Sequence, residues 1–473
     1  MSSAESSAET SSSAGQSAAR HHGRSCLAVV LAAGEGTRMR SRTPKVLHRV
    51  GGQPMAAHVL RAAAAAGAGR IALVTGHGAA AVGQEMGGLG LDLAVFEQTR
   101  RLGTAHAVLA ARAALEVPAD DIVVLYGDAP LVEADTIARL RGRLSEDADI
   151  AVLGFEAADP TGYGRLMVDC GRLKAIREEK DANPAERAVR LCNSGIIAMK
   201  GGLALPLLEA VGNDNAKGEY YLTDIVEIAN RHGMTVVVET TTEDEVQGVN
   251  DRTQLAQCEA AFQRRARERA LAAGVTLLAP ETVFFSYDTR LARDVIVHQN
   301  VVFGPGVQVA EACEILPFSH LEGAHVGAGT RVGPFARLRP GAHLGEGVHV
   351  GNFVEVKAAR VEDGAKLNHL TYIGDARIGA GSNIGAGTIV CNYDGTFKHH
   401  TDIGAGVFIG SNSALVAPVR IGDGAYVGTG SVITDDVPAD ALAIGRGRQV
   451  VKEGRAAEIR AEQARRKAAQ QPR

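Results

Sequence analysis

The chain has 473 residues, enough for two or three domains, and a net charge of -4, which gives no electrostatic case for nucleic acid as a partner. Hydrophobic residues make up 45% but aromatics only 4%, with no Trp, so the core must be built from Ala, Val, Leu and Ile. No apolar run approaches the roughly 18 residues needed to span a bilayer, and no membrane partner is expected. The six cysteines (Cys26, Cys170, Cys192, Cys258, Cys313 and Cys391) contain no Cys-x-x-Cys pair, which argues against a zinc site or a disulfide framework and for buried free thiols. The N-terminus lacks the apolar core of a secretion signal, so a cytoplasmic protein is expected.

Residues 1–24 are rich in Ser, Ala, Glu and Gln and bury too little to offset ordering entropy; disorder is expected there. Residues 25–251 alternate between short apolar runs and helical patterns. Strands are predicted over Cys26–Leu31, Arg70–Thr75, Leu93–Phe96, Asp121–Leu125 and Ile150–Phe155, and helices over Pro54–Ala66, Thr104–Ala114 and Thr136–Leu144. That alternation predicts an α/β, doubly wound (Rossmann-like) parallel sheet with ligands at the carboxyl ends of its strands. Residues 252–275 carry Leu255, Cys258, Phe262 and Ala266 on one face, as in an amphipathic helix closed by Gly274 and linking two domains. The polar, basic stretch 451–473 reads as a solvated tail, partly helical or disordered.

Residues 276–450 follow a six-residue rhythm. Aliphatic side chains recur at Val326, Val332, Leu338, Leu344, Val350 and Val356, and again at Ile403, Ile409, Leu415, Ile421, Val427 and Ile433. Leu367, Ile373, Ile378, Ile384 and Val390 lie between. A repeat this short fits a parallel β-helix, each hexad forming one flat side and three hexads one coil. The pattern resembles the left-handed β-helix of hexapeptide-repeat acyltransferases, a resemblance that implies a homotrimer with acyl-donor clefts between neighbouring prisms.

Two stretches carry the chemistry. Gly34-Glu35-Gly36-Thr37-Arg38 directly follows the first strand, where glycines let backbone N–H groups approach phosphate oxygens. Arg38 and Lys45 are two cations placed to neutralise charge building on a leaving phosphate. Asp128, ending a strand, and Asn250 could hold Mg²⁺ through hard oxygens. Glu178 and Asn193 are hydrogen-bonding side chains able to read the polar groups of a ligand. On the prism, Arg339 and Lys357 are eighteen residues apart and stack on adjacent coils as a phosphate clamp. His369 is the candidate base, since a histidine accepts an amine's proton near neutral pH. The thirteen-residue step from Val390 to Ile403 predicts a protrusion at Asn392–His400.

Leu31-Ala32-Ala33-Gly34-x-Gly36-Thr37-Arg38-Met39 with Pro44-Lys45 resembles the signature of sugar-nucleotide pyrophosphorylases. The resemblance continues in order through Gln98, Leu102-Gly103-Thr104, Tyr126-Gly127-Asp128, Gly164, Glu178, Asn193 and Asn250. These residues, with Leu31 to Gly34 and Lys45, would bind UTP and UDP-N-acetylglucosamine. Glu35, where a basic or neutral residue is common, and Arg101, where relatives often have glutamine, depart from the pattern.

Taken with the prism, residues 26–450 resemble the bifunctional N-acetylglucosamine-1-phosphate uridyltransferase and glucosamine-1-phosphate N-acetyltransferase family. The resemblance implies that His369 is the general base and that Arg339, Lys357, Tyr372 and Asn383 hold glucosamine 1-phosphate. It implies that Ala386, Asn392, Tyr393, Ser411, Thr429 and Arg446 line the acetyl-CoA cleft, that Mg²⁺ is the metal, and that the product feeds cell-wall precursors of peptidoglycan and lipopolysaccharide type. Three other readings exist: a single-activity nucleotidyltransferase with a structural or regulatory prism, a non-catalytic scaffold, and a metal-dependent prism enzyme of the γ-carbonic-anhydrase kind. The last needs three converging histidines; His298, His320, His325, His343 and His349 are available, but no three of them stand at ligand spacing.

Overall fold

The structure, a computed structural model, describes residues 23–76, 78–215 and 217–469. The expected disorder of residues 1–24 lies outside the described residues up to position 22, while Arg24 is anchored through Nε to the Asp121 carboxylate at 3.2 Å. The chain forms two compact units: residues through Glu268 with Phe285–Tyr287, and Arg269–Phe284 with the chain from Asp288 onward.

The first unit is built on one twisted sheet. Its main path runs Val236–Thr241, Ile150–Glu156, Leu191–Lys200, Asp121–Tyr126, Cys26–Ala32, Arg70–Thr75, Leu93–Glu97. The first strand is buried along its whole length, and its side chains alternate between two separate cores. Cys26, Ala28, Val30 and Ala32 enter one core; Leu27, Val29 and Leu31 enter the other. A strand buried on both faces reads as a continuous apolar run, which is why Cys26–Leu31 carries no polar interruption. The sheet is mixed rather than wholly parallel. Leu191–Lys200 runs antiparallel between Asp121–Tyr126 and Ile150–Glu156, and the hairpin Arg165–Asp169/Arg172–Arg177 is attached beside it. The helix expected over Thr104–Ala114 breaks at Ala111 (φ -89, ψ 24) into Thr104–Ala110 and Arg112–Leu115.

Cys26–Ala32 pairs in parallel with Arg70–Thr75 on one side and Asp121–Tyr126 on the other. Chain direction through the sheet therefore reverses at this strand, and the crevice beyond its carboxyl end is where a doubly wound sheet accepts ligands. The helix Arg252–Ala272 buries Cys258, Ala261 and Phe262 against Met39, Val50, Met55, Leu131 and Val249, so most of its length belongs to this unit's core rather than to a free linker. Cys26, Cys192, Cys258 and Cys313 are buried free thiols; Cys170, in a hairpin turn, is exposed, and Cys391 is half-buried. Burial pushes the Cys26 thiol to about 11 and Cys258 to about 12, which leaves them inert as nucleophiles near neutral pH.

The second unit is the left-handed parallel β-helix of hexapeptide repeats. Short strands from Thr276–Leu277 to Leu442–Ala443 stack in parallel on three flat sides. The inward column on one side reads Val332, Val350, Leu367, Ile384, Ile409, Val427 by strand register. Each of these side chains is 0–1% exposed, so every coil seals its neighbour's core. Fully burying one such side chain contributes roughly 1.5–3 kcal/mol. The irregular segment between Ile389–Cys391 and Thr401–Ile403 is the expected protrusion. The tail forms an exposed helix, Arg455–Ala469.

Candidate active sites

The first site lies at the reversal point of the sheet. The chain leaves Cys26–Ala32 into Gly34–Arg38, and Gly36 takes a left-handed φ of 64°. A Cβ on Gly36 would lie 2.6 Å from Lys45 Cβ, so only glycine lets the loop close over that lysine. Lys45 Nζ reaches two oxygens that come from distant parts of the chain. It forms an ion pair with Asp128, just past the neighbouring strand, and donates to Asn250 Oδ1 at 3.2 Å. The Lys45 and Asp128 side chains are only 10% and 20% exposed. Gly127 donates to the Leu31 carbonyl at 2.9 Å and Val249 to the Asp128 carbonyl at 2.9 Å, tying all three segments together. Arg38 stands exposed on the short helix Thr37–Met39.

On the other side of the crevice, Gln98 Nε2 donates to the Gly103 carbonyl at 3.2 Å and contacts His106 Nδ1 at 3.1 Å. Thr104 Oγ1 accepts from the Leu222 N–H at 2.9 Å, which ties the loop ahead of helix Thr104–Ala110 to the segment around Tyr220. Enclosure pushes the Tyr126 phenol up, helped by the Asp128 and Glu178 carboxylates, so it stays a neutral hydroxyl. Glu178, Asn193 and Gly164 converge: Asn193 N–H donates to the Gly164 carbonyl at 2.8 Å, and Thr223 Oγ1 lies 3.5 Å from Glu178 Oε1. Burial raises the Glu178 carboxyl above its ordinary range. This strip offers a carboxylate, an amide and a hydroxyl to a polyhydroxylated ligand.

The second site straddles one corner of the prism. His369 ends the strand Lys366–His369, in register with Asn352 one coil earlier, and its Nδ1 lies 2.7 Å from Asn352 Oδ1. A Cβ on Gly351 would sit 1.9 Å from the Asn368 carbonyl oxygen, so glycine there permits the coil spacing that sets this contact. With Oδ1 accepting, Nδ1 carries the proton and Nε2 keeps its lone pair. His369 and Asn352 line a cavity of about 310 Å³ with Arg331, Pro334, His349 and Asn368.

Past the corner residue Leu370, the next flat side carries the cations. Leu338 registers on Val356, which puts Arg339 beside Lys357 on adjacent coils. Arg339 Nη1 pairs with Glu355 at 2.8 Å and Lys357 Nζ lies 3.6 Å from Asp375. Asn392 donates to the same Asp375 carboxylate and lies 3.5 Å from the Tyr372 hydroxyl, so it joins the cation group. Asn383 does not: it registers on Lys366 and Phe408, on the side that carries His369. Ala386, Ser411 and Thr429 follow one another up a single corner, with Asn412 N–H donating to the Ala386 carbonyl at 2.7 Å and Gly430 N–H to the Ser411 carbonyl at 2.8 Å. Arg446 is exposed beyond the last strand, and Tyr393 is exposed on the protrusion.

Sequence reasoning gave no role to four residues of this site: Asn352, Glu355, Asp375 and Lys398. Lys398 faces Lys357, and their interaction raises the Lys357 pKa and lowers that of Lys398, so Lys398 is the readier of the two to lose its proton and accept from the Lys357 ammonium. Signals for two of them, Asn352 and Lys398, were present in the sequence. Asn352 stands seventeen residues, one shortened coil, before His369, and Lys398 lies inside the predicted protrusion. The five histidines weighed for a metal site are spread over the prism's sides; His325 and His343 stack at 4.6 Å, and no cluster able to hold a metal through three His, Cys, Asp or Glu exists among the described residues.

Comparison with known proteins adds an independent line. Residues 28–191 match a MobA-like NTP transferase domain, and residues 323–358 and 400–435 match bacterial transferase hexapeptide repeats. The bifunctional protein GlmU of Azorhizobium caulinodans is 61% identical over 438 residues, 93% of this chain and 98% of the relative. That of Xanthobacter autotrophicus is 61% identical with the same coverage, and that of Agrobacterium fabrum 55% identical over 92% of this chain and 96% of its own.

Proposed function

This chain belongs to the bifunctional GlmU family, and from that premise we propose how its two sites divide the synthesis of UDP-N-acetylglucosamine. The prism site acetylates glucosamine 1-phosphate. The amine attacks the acetyl-CoA thioester carbonyl, a C–N bond forms, the C–S bond breaks, and Nε2 of His369 takes the amine's proton. Asn352 positions that ring. Arg339, Lys357 and Lys398 hold the sugar's phosphate, and their carboxylate partners Glu355 and Asp375 keep them in place until it arrives. The corner column Ala386, Ser411 and Thr429, with Tyr393 and Arg446, receives coenzyme A.

The sheet site then joins the product to UMP. An oxygen of N-acetylglucosamine 1-phosphate attacks the α-phosphorus of UTP, and pyrophosphate leaves. Positioning and charge neutralisation carry such a transfer without a covalent intermediate. Lys45 and Arg38 supply positive charge; Gln98, Gly103 and Thr104 face the base; Gly164, Glu178 and Asn193 face the sugar. The oxygens of Asp128 and Asn250 converge within reach of one cation, Lys45 Nζ, and this hard-oxygen pair fits Mg²⁺ with the remaining ligands left to phosphate. Bound there, Mg²⁺ would withdraw charge from the phosphate oxygens.

We assign the chain to the cytoplasm, where both nucleotide and thioester substrates are made; no helix among the described residues is long and apolar enough to cross a membrane. A homotrimer is supported by the division of the acetylation residues over two sides of one prism, with His369 and Asn383 on one and Arg339, Lys357 and Tyr372 on the next. A stacked, exposed ladder of Phe318, Phe335 and Phe353 along that edge supplies an apolar surface for a neighbouring copy.

The observation that carries the two-activity reading is His369 oriented by Asn352 beside the lysine and arginine cluster, because a purely structural prism has no use for it. A substrate-omission assay tests it. CoA release should need only glucosamine 1-phosphate and acetyl-CoA, and pyrophosphate release should need acetyl-CoA when the sugar is supplied unacetylated. Pyrophosphate only from pre-acetylated sugar phosphate, with no CoA at any time, would establish the single-activity alternative.

A further inference from the structure

Glu35 and Arg101 are the two departures from the pyrophosphorylase pattern, and the structure brings them together. Glu35 sits between Gly34 and Gly36 of the phosphate loop. Arg101 sits in the loop between Gln98 and Thr104, on the base side of the crevice. Their side chains form an ion pair across its mouth. Among the described residues neither has another ion-pair or side-chain hydrogen-bond partner, and the pair is exposed, Arg101 at 37% and Glu35 at 56%. Exposed ion pairs add little to stability, so the fold does not depend on it.

Its location gives it another consequence. Exposure rises outward from the Lys45–Asp128 pair, at 10% and 20%, to the Arg101–Glu35 pair at the rim. Glu35 belongs to the Gly34–Arg38 loop, whose backbone N–H groups can take phosphate oxygens, so a nucleotide with its α-phosphate at Lys45 has this loop for its outer phosphates. There the lone carboxylate of Glu35 opposes an anion that Arg101 attracts. A polyphosphate offers the guanidinium paired oxygens and more charge than one carboxylate does, so it competes for the same fork of N–H donors. We propose that Arg101 is a positioning residue for the outer phosphates of the nucleotide, held by Glu35 and passed to the triphosphate on binding. The inference rests on reading this site as the uridylyltransferase. It also accounts for both departures as one compensated change: a carboxylate in the phosphate loop is tolerated because a cation faces it.

The test uses full-length enzyme carrying Arg101→Gln or Glu35→Gln, with acetyl transfer at the prism as the internal check of folding. The two substitutions should act in opposite directions. R101Q raises the KM for UTP about tenfold, equivalent to about 1.4 kcal/mol. E35Q lowers it, because Arg101 no longer has to leave a carboxylate. In the reverse reaction R101Q raises the KM for pyrophosphate by a similar factor and leaves the KM for UDP-N-acetylglucosamine within about twofold, since that ligand lacks the outer phosphates; R101K restores part of the loss. A pair that merely fastened the two loops would make both substitutions raise KM, and that result overturns the proposal. So does an equal effect of R101Q on pyrophosphate and UDP-N-acetylglucosamine. Wild-type enzyme that forms no pyrophosphate from UTP and N-acetylglucosamine 1-phosphate would overturn the site's function and the inference with it.

Discussion

The two units assemble chemistry by different routes. In the sheet unit, Lys45 meets Asn250 across 205 positions of sequence, and only the reversal of strand order at Cys26–Ala32 brings them to one crevice. In the prism, His369 meets Asn352 across 17 positions and Leu338 stacks on Val356 across one coil. A coil is a ruler: residues one turn apart are neighbours whatever their identity. The sheet has no such ruler, and its site is held by loops whose closure depends on single glycines and ion pairs. The consequence is separability. Damage to one site should be invisible to the other.

The sharpest way to break that comparison is a pair of substitutions read by both assays. His369→Ala should cut CoA release by about 10²–10⁴-fold, the range for losing a general base, and leave pyrophosphate release from pre-acetylated substrate unchanged. Asp128→Ala should cut pyrophosphate release by about 10²–10³-fold, as for loss of a group aimed at developing charge, and leave CoA release unchanged. If either substitution lowered both activities in folded enzyme, the two sites would be coupled.

How much could be read in advance follows the same division. The inward hexad column, the protrusion at Asn392–His400 and the stacking of Arg339 on Lys357 all come from counting, because the prism's period is written in every coil. In the sheet, buried strands were legible as apolar runs. The antiparallel insertion Leu191–Lys200 was not, since an apolar strand carries no mark of its direction. Glu35 and Arg101 could be seen to be unusual one by one; that they face each other is a property of loop geometry. The placement of Asn383 on a different side from Arg339 also escaped the motif, which orders residues along the chain and says nothing of which flat side each occupies.

A stability measurement sharpens the contrast at a second level. Leu367 is fully buried between Val350 and Ile384, and Leu367→Ala should cost about 2–5 kcal/mol, because rigid coils cannot collapse into the cavity. In a stacked repeat the loss concentrates in adjacent coils. In denaturant titration, acetyl transfer should therefore fail at lower concentration than in wild type, while the midpoint for uridylyl transfer holds. A common shift of both midpoints would mean that the units unfold as one.

The smallest effect is expected at the protrusion, where Asp394 acts as a hub. Its carboxylate accepts from His399 Nε2 at 2.7 Å, Phe397 N–H at 2.7 Å and Thr396 N–H at 2.8 Å, and His399 and Phe397 flank Lys398. These bonds, the His399 one foremost, hold the Asp394 carboxyl down at about 2. A depressed carboxyl stabilises its surroundings fully above the ordinary carboxyl value of about 4 and loses that contribution as pH falls through its own. The hub should therefore be intact at every pH where the enzyme works, and acid alone should loosen it only between roughly pH 4 and 2. Asp394→Asn keeps the shape but removes the charge. It should raise the KM for glucosamine 1-phosphate by about threefold through a less well placed Lys398, with kcat nearly unchanged, because the bonds lost are charge-assisted ones on an exposed loop. A fall in kcat with KM unchanged would instead place Asp394 in the chemistry at His369 and not in the seating of the phosphate.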